Sequence, residues 1–231
     1  MQRPGLVLLA LLAGMIGLVM FTTRFHRSEK PYIEKVEEEE NEKMIAEMKK
    51  AQERQNAPDR LQTYEKFSKG IIKGEIEVEN AGVFEVELFP EAAPKSVAHI
   101  VELAKKGFYN GIRFHRVVPD FVAQVGDPRS KNYKKSDFEG KSAEQIGSEM
   151  KLGEGGSGTT VLLETKLPHL PNTIGMARSG APNSGDSQFF FNLKDNGSLD
   201  AAYCAFGRVV KGQENLTKIA HGDSIVRFTI K

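Results

Sequence analysis

Two segments, Glu75-Ile-Glu-Val-Glu and Phe84-Glu-Val-Glu-Leu, alternate apolar and acidic residues without a break. Successive side chains of an extended chain point to opposite faces, so this pattern specifies half-buried strands with an acidic outer face. Asn80-Ala81-Gly82 between them supplies the chemistry of a tight reversal. The region therefore opens on a β-hairpin, and the rest of the domain must cover its apolar face.

Beyond the hairpin the chain carries a helix and further short strands. Pro94 can open a helix, Val97, Ile100, Val101 and Ala104 recur at helical spacing, and Gly107 can stop it. Short apolar stretches come next at 112–118, 121–125, 172–177, 188–193, 203–210 and 225–230. A second short helix is expected at 213–220, closed by Gly222. Many short strands with only two helices predict an all-β barrel or sandwich. Residues 128–170 are polar and glycine-rich, too long for an ordinary connection, and are expected to form functional or decorative surface loops.

The N-terminal part has a different character. From Gly5 to Phe21 the chain is almost continuously apolar, with Arg3 before the run and Arg24, Arg27 and Lys30 after it. As a helix this run is about 25 Å long, slightly less than a hydrocarbon core of about 30 Å. The run ends in Val-Met-Phe-Thr-Thr-Arg, which lacks the small-x-small site of a cleavable signal. Residues 1–27 are therefore expected to be an uncleaved signal-anchor forming a transmembrane helix, with the domain beyond it extracytoplasmic (periplasmic or lumenal). Residues 28–66 read as a charged, partly helical spacer: Glu37 to Glu40 are four consecutive acids, no heptad is sustained, and Pro58 ends the pattern. The compact domain is expected over 67–231.

Composition excludes several classes. A net charge of +1 offers no bulk attraction for nucleic acid. Cys204 is the single cysteine, so no intramolecular disulfide can form, and no Cys/His spacing suggests a zinc site. Gly153-Glu-Gly-Gly-Ser-Gly lacks the Gly-Lys-Ser/Thr ending of a phosphate loop. Asn196-Gly-Ser and Asn215-Leu-Thr match glycosylation acceptors, a match common by chance.

Three blocks carry the chemistry: Phe114-His-Arg-Val-Val-Pro-Asp-Phe-Val-Ala-Gln-Val-Gly-Asp, the run from Ile174-Gly-Met-Ala-Arg to Ser187-Gln-Phe-Phe-Phe-Asn, and Leu199-Asp-Ala-Ala-Tyr-Cys-Ala-Phe-Gly-Arg-Val-Val. Both their residue types and their spacing resemble the cyclophilins, across nearly all of 70–231. The spelling Met-Ala-Arg-x-x-Ala-Pro-Asn-Ser is closer to bacterial members than to animal ones. The resemblance implies an eight-stranded antiparallel β-barrel with an α-helix capping each end, and a peptidyl-prolyl cis-trans isomerase acting on proline-containing polypeptides.

That reaction needs no cofactor, metal or nucleophile. Amide resonance sets a barrier of about 18–20 kcal/mol to rotation. A fixed cationic donor aimed at the pyramidal proline nitrogen stabilises the twisted amide, and a dry apolar pocket strengthens it. On the resemblance, Arg116 is that donor and Gln124 hydrogen-bonds the substrate backbone. Phe121, Val122, Phe190 and Leu199 wall the proline pocket, Ala177 and Arg178 present main chain to the residues preceding proline, and Gln188 and Tyr203 line the adjoining edge. Strand alternation places Phe190 on the face of Gln188, and Phe189 and Phe191 on the interior face. His115 reads as structural, because isomerisation transfers no proton. The chain departs from animal members at Ser198, where they carry tryptophan, at Tyr203, where they carry histidine, and at Val122, commonly methionine. Weak binding of cyclosporin, which uses that tryptophan, is expected. A non-catalytic proline-binding or chaperone module on a membrane tether is the alternative, which the retention of Arg116 disfavours.

Overall fold

The computed structural model describes residues 60–231; the anchor expected at 1–27 and the spacer up to residue 59 lie outside the described residues. A short helix α1 (Gln62–Lys66) precedes β1 (Ile72–Val78) and β2 (Gly82–Leu88), followed by helix α2 (Pro94–Lys105). Strands β3 (Arg116–Val118) and β4 (Val122–Val125) come next, then helix α3 (Ala143–Met150) inside the long glycine-rich region. Strands β5 (Thr173–Met176), β6 (Phe189–Asn192), β7 (Cys204–Lys211) and β8 (Ile225–Ile230) complete one antiparallel sheet in the order β3-β4-β6-β5-β7-β2-β1-β8.

The opening hairpin forms as its alternation requires. Gly82 pairs with Val78, and Asn80 and Gly82 take positive φ (62° and 89°) to make the reversal. Ile76, Val78, Phe84, Val86 and Leu88 face a core shared with Ile100 of α2, Phe189 and Phe191 of β6, and Phe228 of β8. The outward glutamates meet cations on neighbouring strands, Glu87 with Arg208 (2.8 Å) and Glu85 with Lys211 (2.9 Å). Helix α2 begins at Pro94, and Gly107 beyond its end has φ +68°.

Three features differ from the sequence expectation. The closed barrel is instead a curled sheet, because β3 is only three residues long and shares no ladder with β8. The segments leading into these edges do meet: Phe114 N–H donates to Asp223 O and Ile225 N–H to Ile112 O, both at 2.8 Å. The helix expected at 213–220 is a 3-10 helix, Gln213–Lys218, with Leu216 buried in it and Ile219 just beyond. Apolar residues three apart suit three residues per turn. The 128–170 region carries α3, opened by a capping box between Ser142 and Gln145, and Ile146 and Met150 of this helix join Phe138 and Leu152 in a small core of their own.

Packing also extends N-terminal of residue 67. Tyr64 of α1 is 1 % exposed, lies edge-on to Phe89 at 5.1 Å and donates through its hydroxyl to Pro168 O at 2.7 Å. Among the described residues no helix is long and apolar enough to cross a membrane.

Candidate active site

Strand register builds the site. Arg116 lies opposite Gln124 across β3 and β4, Gln124 opposite Phe190 on β6, and Phe190 opposite Gly175 on β5. Directly opposed residues share a face, so a cation, an amide and an aromatic ring stand in one row outside the sheet. Their neighbours Val125, Phe189 and Phe191 point into the core. The alternation expected for the Ser187-Gln-Phe-Phe-Phe run is the alternation observed.

Gly175 makes room for the row. A Cβ there would lie 2.4 Å from Phe190 Cζ, so only glycine lets the ring rest on β5. Around Phe190, Val122, Ala177, Phe121, Leu199 and Tyr203 form an apolar cluster separate from the main core. Tyr203 is edge-on to Phe190 at 6.0 Å. The residues expected to wall the pocket thus come together from β4 and β6, from Phe121 just before β4 and Ala177 just after β5, and from the 199–203 turn.

Arg116 sits at the rim of this cluster with its guanidinium carbon 5.5 Å from the centre of the Phe121 ring. Face-on contact of this kind orients a guanidinium without consuming its N–H donors. Helix α3 lies against β3. The edge strand is also tied by His221, whose Nε2 accepts from Val117 N–H at 2.7 Å. Burial lowers the His221 pKa, opposed by the charge of Glu144, which favours the neutral ring that this acceptor role needs.

Gln124 is oriented by a relay. Its Nε2 donates to Gln188 Oε1 (2.9 Å), and Gln188 Nε2 donates to Gly155 O (2.7 Å). With one amide N–H engaged in this way, the orientation of the Gln124 side-chain amide is fixed. The glycine-rich loop is held in turn by Asp127, whose Oδ2 accepts from Gly153 N–H (2.7 Å) and Gly155 N–H (3.0 Å). Burial opposes ionisation of Asp127, but hydrogen bonds from Arg129 and these amides outweigh it and bring its pKa to about 2. Arg178 uses its side chain as well as its backbone: Nε donates to Ala202 O (2.6 Å) and the guanidinium lies 4.9 Å over the Tyr203 ring. The Ala177 N–H donates to Gln188 O (2.9 Å).

His115 is 3 % exposed and burial pushes its pKa down to about 4, partly offset by Asp127, as suits a neutral structural ring. Asn196, within one of the two glycosylation-like triplets, is also buried. Sequence reasoning missed His169 and Asp200. His169 is fully buried and stacks on Phe190 at 5.8 Å and 20°, with its Nδ1 3.3 Å from Asp200 Oδ1. His169 has no local signature that would have found it, and Asp200 lies within the third sequence block without a cue to its partners.

Residues 73–229 match the family model described as cyclophilin type peptidyl-prolyl cis-trans isomerase. The chain belongs to this family. A probable peptidyl-prolyl cis-trans isomerase of Brucella suis is 40 % identical over 148 residues, covering 63 % of this chain and 70 % of that protein. Peptidyl-prolyl cis-trans isomerase B of Bacillus subtilis is 34 % identical over 149 residues, covering 63 % and 89 %. In fold, the chain resembles a cyclophilin type isomerase of Cryptosporidium parvum solved in the presence of the dipeptide Ala-Pro. That likeness has a TM-score of 0.55 at 24 % identity over 69 % of this chain and 98 % of the other.

Proposed function

We propose that this peptidyl-prolyl cis-trans isomerase works through Arg116, placed at the rim of an apolar slot for the proline ring. The observation that carries this is the row Arg116, Gln124, Phe190 across β3, β4 and β6, with the apolar cluster around its last member. The slot takes the pyrrolidine ring by shape. Gln124 Oε1 accepts from a substrate N–H, and the carbonyl face at Ala177 and Arg178 receives the residues preceding proline. The Arg116 guanidinium then donates to the proline nitrogen as it becomes pyramidal, an interaction stronger in the twisted amide than in either planar isomer. The Brucella and Bacillus relatives support the activity, and the Ala-Pro dipeptide with the Cryptosporidium protein supports the ligand class.

The test is exchange of an X–Pro peptide catalysed by the full chain and by its Arg116→Ala variant. The variant is expected to lose a factor on the order of 10²–10³ in kcat/KM, the loss usual for one transition-state donor. Equal activity of the two proteins would overturn the mechanism.

We further propose that residues 1–27 anchor the enzyme in a membrane with residues 60–231 on the extracytoplasmic side, where it assists folding of exported chains. The apolar run from Gly5 to Phe21 with its charged flanks supports this, as does the absence of a small-x-small site after it. The bacterial spelling of the 176–184 block is consistent with a bacterial envelope.

A further inference from the structure

The wall of the proline slot is fastened to a residue more than a hundred positions upstream. Arg60 donates through Nη1 to both carboxylate oxygens of Asp195, at 2.7 and 2.6 Å, and through Nη2 to Asp200 Oδ2 at 2.9 Å. The Asp200 side chain is 1 % exposed and that of Arg60 13 % exposed, so the second ion pair is shielded from water. The other oxygen of Asp200 accepts from the His169 backbone N–H at 2.7 Å and faces the His169 ring. That ring lies flat against the back of Phe190, and Asp200 directly follows Leu199, another wall of the slot.

Each contact fixes the next. Asp200 Oδ2 is satisfied by Arg60, and a buried carboxylate oxygen that loses its cation must find water or a new donor. Turning Asp200 outward would carry Leu199 with it and free the His169 ring. Phe190 would then keep Gly175 beneath it and Tyr203 at its edge, but not the plane behind it. Burial lowers the His169 pKa against the opposing pull of Asp200, which keeps the stacked ring neutral at physiological pH.

We infer that Arg60 is a positioning residue of the proline slot: through Asp200 it fixes the His169 ring behind Phe190 and the Leu199 wall. The segment that leads from the spacer into α1 thereby sets how well the slot grips a proline ring. This inference rests on the slot assigned under Proposed function. Arg60 acts only through Asp200, so its loss should weaken binding of the planar substrate and of the twisted amide alike. Such uniform loss raises KM and leaves kcat in place.

The experiment compares the full chain with Arg60→Ala and Arg60→Lys, each alone and in an Arg116→Ala background. A short Ala-Pro-containing peptide is titrated by NMR, turnover is measured where Arg116 is present, and all readings are taken well below each protein's Tm. Arg60→Ala is expected to weaken peptide binding by about three- to tenfold in both backgrounds and to raise KM equally, with kcat within about twofold. Arg60→Lys, which keeps the charge but not the fork, falls between. A folded Arg60→Ala protein with unaltered peptide affinity and KM, differing only in Tm, would reduce Arg60 to a structural anchor and overturn the inference. So would a fall in kcat at constant KM. Should Arg60→Ala fail to fold, Arg60→Lys decides alone: weakened affinity supports the inference and unaltered affinity ends it. Loss of the Arg116 effect alone fells the catalytic mechanism and leaves the Arg60 comparison standing. No peptide binding by the unmodified chain fells the slot and this inference together.

Discussion

Asp127 and Ser198 show how far single side chains depend on what surrounds them. Asp127 has no exposed surface, yet its carboxyl is held down to about 2 because the Arg129 guanidinium and the backbone N–H groups of Arg129, Gly153 and Gly155 donate to it. A native pKa below the unfolded one adds stability that is complete above the ordinary carboxylate value, about 3.9, and is lost as pH falls toward 2. Urea unfolding midpoints of the unmodified protein should therefore drop steeply between pH 4 and about 2, and those of Asp127→Asn should drop less over that interval. Equal acid slopes would show that Asp127 is not the group responsible. Ser198 is exposed beside Leu199 at the rim of the slot and offers neither ring nor indole donor. Cyclosporin should accordingly inhibit weakly, and Ser198→Trp should tighten inhibition at least ~tenfold, or about 1.4 kcal/mol. Inhibition titrations of the two proteins at matched substrate settle this, and tight inhibition of the unmodified chain would refute it.

At the scale of elements, the pairing of β5 with β6 shapes the slot. Phe190 occupies space that any Cβ on Gly175 would claim, at 2.4 Å from Cζ and 2.6 Å from Cε2. Gly175→Ala must displace the ring, since the sheet backbone cannot retreat without breaking its ladder. Overpacking of this kind commonly costs about 1–3 kcal/mol. We expect a lowered Tm together with a several-fold higher KM for an X–Pro peptide, because the displaced ring is the slot's own wall. A variant that loses stability but keeps its KM would show that Phe190 does not grip the proline. The 3-10 helix at 213–218 and helix α3 illustrate the limits of reading elements from periodicity. Leu216 and Ile219 fit either helix type, and only the packing of this short segment chose the tighter one. The capping box at Ser142–Gln145 is visible in the sequence, but in a polar, glycine-rich stretch it is outweighed by its surroundings.

For the whole molecule, α1 and Arg60 belong to the folded body through the burial of Tyr64 and the ion pairs to Asp195 and Asp200. The proposed anchor lies upstream of that body, and attachment to a membrane is tested directly. Full-length protein is expected to stay with membranes through an alkaline wash, and deletion of residues 1–27 to release it. Protease added to spheroplasts should digest the catalytic domain. An untouched domain would reverse the proposed orientation, and release of the full-length chain by the wash would remove the anchor.

The sequence by itself determined the strands, their inward and outward faces and the family, because alternation is a local property and the blocks around Arg116, Gln188 and Leu199 retain their spacing. It also named side chains that the fold brings into one row, since Arg116, Gln124 and Phe190 each lie in such a block. Tertiary structure alone decided that the sheet curls without a ladder between β3 and β8, which depends on strand lengths and on where the edges arrive. It alone placed His169 behind Phe190 and joined Arg60 to Asp200, contacts spanning 140 positions in the latter case. Pairings between such distant residues leave no periodic trace, because neither side chain has a neighbour in sequence whose spacing records the other.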